Sequence, residues 1–248
     1  MKQTPLEDYL NYLKLPFIRQ NMEALTQQAT QDQWSFSQFL RALIEGEAQL
    51  RQDNKVARRI RGARFPVLKS LDDFDWSWPR KINRAQAKEF FELGFLQEHS
   101  NVILLGGVGL GKTHLAIALG YAACLRGHSV LFTSAVDIIN TLAAARAAHQ
   151  LHRVIKKYLS PTLLVMDEVG YLPIDKVGAD LLFQVISERY EKGSIILTTN
   201  LPFKDWAKIF NNDATLTSAV LDRLLHHAHS LTIQGRSYRM KDQIPDPE

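Results

Sequence analysis

Residues 101–113 read Asn101-Val102-Ile103-Leu104-Leu105-Gly106-Gly107-Val108-Gly109-Leu110-Gly111-Lys112-Thr113. Four consecutive apolar side chains run into a glycine-rich turn, and an apolar, uncharged run from Leu115 to Leu125 follows it. A strand over 102–105, a turn and a helix over 112–125 are therefore expected in that order. Gly106 to Thr113 matches G-x-x-x-x-G-K-[ST], and strand-turn-helix is the context that pattern requires. Its glycines let backbone N–H groups converge on phosphate oxygens, while the helix N-terminus adds a partial positive charge. Gly106, Gly107, Val108, Gly109, Leu110, Gly111, Lys112, Thr113 and His114 form the expected phosphate site. Lys112 should reach the β and γ phosphates, and the Thr113 hydroxyl should ligate Mg²⁺.

Beyond the loop, short apolar strands alternate with longer helices. Strands are expected at 129–133, 162–166, 194–198 and 230–234, with helices at 135–146, onward to about 159, and from Asp175 to Glu191 before Gly193. That alternation is the pattern of an α/β fold, a parallel sheet with crossover helices. The third strand, Leu163-Leu164-Val165-Met166, ends in Asp167-Glu168. At the C-terminal edge of a parallel sheet, where ligands sit, Asp167 suits the metal's water shell and Glu168 suits polarising the attacking water. The plain alternative for each is an ion pair with a nearby base. Ile195 to Thr199 ends in Asn200, which either orients water against the γ phosphate or caps a turn. A guanine-reading Asn-Lys-x-Asp is missing after the loop, since Asn54-Lys55 precedes it and lacks the acid, and no Arg-rich lid of a small-molecule kinase is evident. ATP is the expected nucleotide.

Upstream, the first 65 residues read as a small helical domain and 66–248 as the ATPase domain. Thr4-Pro5-Leu6-Glu7 and Ser35-Phe36-Ser37-Gln38 are capping boxes, the latter leading Phe39, Leu40, Leu43 and Ile44 at helical spacing. Another helix is expected from about Phe17 to Ala29. A connection containing Trp76, Trp78 and Pro79 leads to a helix over about 84–96. The 248 residues carry a net charge of only +4, yet 51–64 alone hold six basic residues against one acid. A lone cysteine, Cys124, rules out an internal disulfide and reads as a buried thiol. Glu7 and Asp8 interrupt any signal-peptide core, and no apolar run approaches the roughly 18 residues of a membrane span. A cytoplasmic protein is expected. His149 with His152, and His226 and His227 with His229, have no cysteine or acid at a familiar ligand spacing, so zinc is not expected.

GGVGLGKTHLAIALG, LLVMDEVGYLP, SIILTTNLPF and AVLDRLLHHA, in that order, resemble the AAA+ P-loop NTPases of the DnaC-like helicase loaders and, more closely, the IstB family, ATPase helpers of insertion-sequence transposases. The resemblance implies that Arg223 is an arginine finger serving the ATP of a neighbouring subunit, so that turnover needs a homo-oligomer. A surface arginine paired with Asp222 is the alternative. Little chain follows the expected last strand, so the C-terminal helical lid of many AAA+ proteins is not expected; Arg239 and Arg236 both stand as candidates for the second sensor. Arg146, Arg153, Lys156 and Lys157 carry no intervening acid, and in initiator- and loader-type AAA+ proteins this region tracks DNA. Few aromatics interleave with them, which favours double-stranded DNA over stacked single strands. The Arg51–Arg64 stretch suits DNA or an acidic surface equally. The resemblance thus implies an ATP-dependent, DNA-binding regulator that recruits or activates a transposase partner. A helicase loader, a nucleotide-gated scaffold and a small-molecule kinase are the rival readings.

Overall fold

The computed structural model describes residues 5–171 and 173–240, so the Thr4 cap lies outside the described residues. The chain forms two compact units, Met1–Arg58 and Arg59–Glu248. In the first, α1 (Leu6–Tyr12), α2 (Pro16–Gln31) and the start of α3 (Phe36–Ala63) pack around Leu10, Ile18 and Leu43. Proline opens α2, where its missing N–H costs nothing. The second capping box forms as read: Gln38 N–H donates to Ser35 Oγ at 3.2 Å, and Ser35 N–H to Gln38 Oε1 at 2.7 Å. Of the four apolar positions at helical spacing, Leu43 is buried and Phe39 half-buried, while Leu40 and Ile44 are exposed. Buried Glu47 takes N–H bonds from Phe17 and Ile18 and pairs with Arg51, so one of the stretch's six bases has an internal role.

The division between units falls inside α3, seven residues before the boundary read from sequence. The helix runs unbroken past Arg58, and its last residues, Ile60 and Ala63, already pack into the core of the second unit. Arg64 then takes a left-handed backbone, φ 60, ahead of Phe65-Pro66.

The second unit is built on five parallel strands, β1 (Asn101–Gly106), β2 (Val130–Ser134), β3 (Leu163–Val169), β4 (Ser194–Thr199) and β5 (Ala228–Ile233), in the order β2-β3-β4-β1-β5. Alternate side chains feed opposite layers. Ile103, Leu164, Met166, Ile195 and Leu197 pack against α7 (Ala135–Ala147), α8 (Leu151–Leu159), α9 (Lys176–Arg189) and α10 (Ala214–Leu225). Val102, Leu104, Leu163, Val165 and Ile196 face α6 (Lys112–Leu125) and the segment leading into β1. Both faces are covered, which is why the strands read as continuous apolar runs. Arg189 at the end of α9 is buried, and its guanidinium donates to carbonyls of Tyr158, Leu159, Pro161, Thr162 and Ser194, tying the end of α8 to β3 and β4.

The helix expected over 84–96 is broken. α4 (Arg84–Glu89) passes into a 3₁₀ turn over Phe90–Glu92, Leu93 turns left-handed, and α5 (Gly94–Gln97) restarts. The kink lets Phe90, Leu93, Phe95 and Leu96 all be buried, which one straight helix could not do against this sheet. Among the described residues, no helix is long and apolar enough to cross a membrane.

Candidate active site

The loop between β1 and α6 is shaped by glycines that meet other parts of the chain. Gly109 and Gly111 have φ of 73 and 87, and a Cβ on the first would strike the Ser237 side chain, on the second the Phe74 ring. The loop therefore needs glycine for conformation and for close approach alike. Lys112 Nζ donates to Gly107 O at 2.6 Å, resting over the loop it is expected to complete. Burial lowers its pKa most, Arg239 adds to that, and Asp167 and Glu168 oppose it. A phosphate in the loop would favour its charged form.

Asp167 and Glu168 sit where β3 slips register against β4, between Met166 and Val169. Glu168 takes a left-handed backbone, φ 60. The bulge turns two successive carboxylates to different surroundings: Asp167 is buried and Glu168 exposed. Thr198, unremarked in the sequence, holds the pair. Its Oγ1 accepts the Glu168 N–H at 2.9 Å and donates to Asp167 Oδ1 at 2.5 Å. From the other side Thr113 Oγ1 donates to both Asp167 oxygens, at 3.0 and 3.1 Å. Asp167 thus receives hydroxyls from two elements and, among the described residues, no ion pair.

Beside this pair lies a small cavity of about 40 Å³, lined by Lys112, Glu168, Thr198, Asn200 and Arg239 among others. Asn200 Oδ1 is itself buried and has no hydrogen-bond partner. A water occupies about 30 Å³ in the liquid, so the space suits one small polar ligand group or water.

A larger cavity of about 340 Å³ continues from the loop, with Phe74, Trp78, Leu110, His114, Tyr238 and Arg239 in its walls. The stretch holding Trp76, Trp78 and Pro79 is expected from sequence to be a connection. It folds back instead, pairing Lys81 with Gln234, while Trp78 Nε1 donates to Arg236 O at 2.9 Å and the Tyr238 N–H to Gly109 O at 2.8 Å. His114 is set by a 3.0 Å contact of Nε2 with Ser70 O and an edge-on contact with Phe74. Of the two candidate sensors, Arg239 enters both cavities and Arg236 lines neither.

A phosphate-shaped loop, an acid pair and an aromatic-walled cavity stand on one sheet edge, and residues 9–245 match the family of IstB-like ATP binding proteins. The chain belongs to that family. This IstB-like chain is 40% identical over 238 residues to the ATP-binding protein of insertion sequence IS21 from Pseudomonas aeruginosa, covering 96% of the chain and 89% of that relative. It is 40% identical over 235 residues to the IS232 ATP-binding protein of Bacillus thuringiensis subsp. berliner, covering 95% and 94%. Among solved structures the DnaC helicase loader shares the AAA+ fold, with a TM-score of 0.55 and 24% identity over 66% of this chain and 96% of that one.

The remaining residues singled out in the IstB-like sequence lie away from the loop. Arg223 is half-buried near the end of α10, donates to Ala219 O at 3.0 Å and lies 5.0 Å over the Phe183 ring. Neither nucleotide-side cavity includes it. The end of α10 is bonded to the start of β1, through Asn101 to Leu224 O and His227 O. The phosphate loop lies at the other end of that strand, about 17 Å away at roughly 3.3 Å per residue. Arg146, Arg153 and Lys156 are exposed on α7 and α8, Arg153 touching Gln150. Lys157 is not with them: it faces a groove shared with Arg64, Asp137, Asp167 and Glu168. Sequence spacing offered no acid to the histidines, yet the fold brings Glu191 beside His226 and His227.

Proposed function

We propose that this chain hydrolyses ATP within an assembly of its own copies on duplex DNA, and that this cycle recruits or activates the transposase of an insertion sequence. The observation that carries the hydrolytic reading is the 40 Å³ cavity beside the phosphate loop, lined by Glu168, Asn200 and Lys112. A carboxylate, an amide and a cation in one small lining suit it to holding a water.

Asp167, buried among hydroxyls and, among the described residues, without an ion pair, and Thr113 Oγ1 form a hard oxygen set that fits Mg²⁺. Bound there with ATP, Mg²⁺ would neutralise charge on the β and γ phosphates. The chain's own groups do the rest. Loop N–H groups and Lys112 orient the triphosphate, and the aromatic-walled cavity takes the base. Glu168 accepts a hydrogen bond from the attacking water and draws off its proton, while Asn200 fixes that water in line. Arg239, lining both cavities, suits the second-sensor role.

Arg223 lies too far from its own loop to touch its own nucleotide, so its finger role requires a neighbouring copy. Exposed Arg146, Arg153 and Lys156 suit phosphates of a duplex, a contact that gives affinity without reading sequence. The family membership supports the transposition setting. The test is Glu168→Gln. ATP binding and assembly on duplex DNA should persist while turnover falls by about 10²–10⁴-fold, the range for losing a general base. Retained turnover would remove Glu168 from this role, and a preference for single strands in competition binding would favour a helicase loader.

A further inference from the structure

The ends of α9 and α10 meet in a cluster that the nucleotide chemistry does not use. Glu191, His226 and His227 each offer a ligand atom, and these atoms all lie within 4.8 Å of one another. All three side chains are exposed to solvent. His226 caps the end of α10, and Glu191, just beyond α9, takes a left-handed backbone with φ 58. The two imidazole rings lie 4.1 Å apart.

We propose that Glu191, His226 and His227 bind one transition-metal ion of the Zn²⁺ class, with water completing the coordination. Two imidazoles and a carboxylate are a borderline donor set, suited to Zn²⁺, Co²⁺, Ni²⁺ or Cu²⁺ rather than to Mg²⁺ or Ca²⁺, which prefer oxygen alone. Ligand atoms about 2.0–2.2 Å from a shared ion stand about 3–4 Å apart, so exposed side chains need to close by only about 1 Å. The pair that would otherwise account for the cluster is loose. His227 Nε2 stands 3.7 Å from Glu191 Oε1, beyond hydrogen-bond reach, and the Tyr190 hydroxyl also interacts with Glu191, so the carboxylate would turn from that neighbour toward an ion.

Ligation through His226 Nε2 would leave its other ring nitrogen with an outer partner. Tyr190 OH hydrogen-bonds His226 Nδ1 at 2.6 Å, and its ring stacks on the imidazole at 29°. Such partners hold a ligating histidine in orientation, and losing one commonly costs 10- to 100-fold in metal affinity. Glu191 and His227 also line a crevice with Arg223, one helical turn before His227. On the reading that Arg223 works in a neighbouring copy, the ion would tie α9 to α10 on the face that copy meets.

The test is titration of the full-length chain with Co²⁺, with excess Mg²⁺ and ADP present to occupy the nucleotide site. One equivalent should bind with the visible absorption of a four-coordinate nitrogen-oxygen site, and Zn²⁺ should displace it. The signal should vanish in His226→Ala/His227→Ala, weaken about tenfold or more in Glu191→Gln and in the conservative Tyr190→Phe, and be unchanged in His149→Ala/His152→Ala. Undiminished binding in the first double variant, or no saturation up to millimolar Co²⁺, would overturn the proposal. The readout involves no ATP turnover, so it can fail while the role of Arg223 stands, and the reverse.

Discussion

Replacing Thr198 with valine keeps the side chain's shape and removes its hydroxyl, in a position only 1% exposed. Two bonds disappear at once. The one to Asp167 involves a charged acceptor and is worth about 1.5–3 kcal/mol. The other leaves the Glu168 N–H, already taken off the regular β3–β4 ladder by the bulge, without its acceptor, at about 1–3 kcal/mol. Because both losses fall on one atom and share any relaxation, they do not add in full, and about 2–4 kcal/mol of unfolding free energy is expected. Turnover should fall further than stability implies, since Glu168 loses the contact that fixes its backbone beside the water cavity. Urea unfolding and steady-state phosphate release, measured on the same preparations, read the two effects. Thr198→Ser supplies the control: it retains both bonds and should stay within about 1 kcal/mol, a methyl-sized loss. Valine within 1 kcal/mol of the parent and fully active, or serine as damaged as valine, would refute the clamp.

Arg189→Lys should cost about 3–5 kcal/mol, because one ammonium cannot fork to carbonyls of five residues from a buried position; a urea midpoint near the parent's would show the hub to be dispensable. Burial lifts the Cys124 thiol to about 11 from an ordinary 9.0. Between those values the unfolded chain releases a proton that the folded chain keeps, so this group's contribution is intact below pH 9 and is lost as pH rises toward 11. Cys124→Ala should flatten that part of the stability–pH curve, and native Cys124 should react with thiol reagents only as fast as the core opens. Arg153→Ala/Lys156→Ala should weaken duplex binding evenly across sequences and reduce the slope of log affinity against log salt by about 1.8, or 0.9 per lost phosphate contact; an unchanged slope would take α8 off the DNA.

The parts legible in the sequence are those whose signal is local. Val102 to Leu105 and Leu163 to Met166 read as strands because each is apolar on both faces, and the loop from Gly106 to Thr113 is a contiguous pattern. What was hidden depends on pairing between distant residues. Thr198 gains its role only when β3 slips against β4 at Asp167, and nothing in the run Leu197-Thr198-Thr199 marks which threonine meets the acids. Phe74 and Trp78 stand in an aperiodic stretch that looks like a connection until it pairs with Gln234, more than 150 residues later. Their clue was aromatic density in a segment without helical or strand spacing. The break at Leu93 shows the same limit, because burying Phe90 and Phe95 together is a demand of the sheet beneath them. Glu191 reaches His226 only because α9 and α10 end at the same edge.

On the proposed cycle, each ATP is hydrolysed by Glu168 of one copy with Arg223 of the next. Mixing Glu168→Gln chains with Arg223→Ala chains, each inactive by itself, tests it directly through DNA-stimulated phosphate release. Random assembly places an intact Glu168 beside a neighbour's intact Arg223 at about one site in four of a head-to-tail assembly, so turnover should return to roughly a quarter of the parent's. No recovery from a mixture that still binds ATP and assembles on DNA would contradict the account.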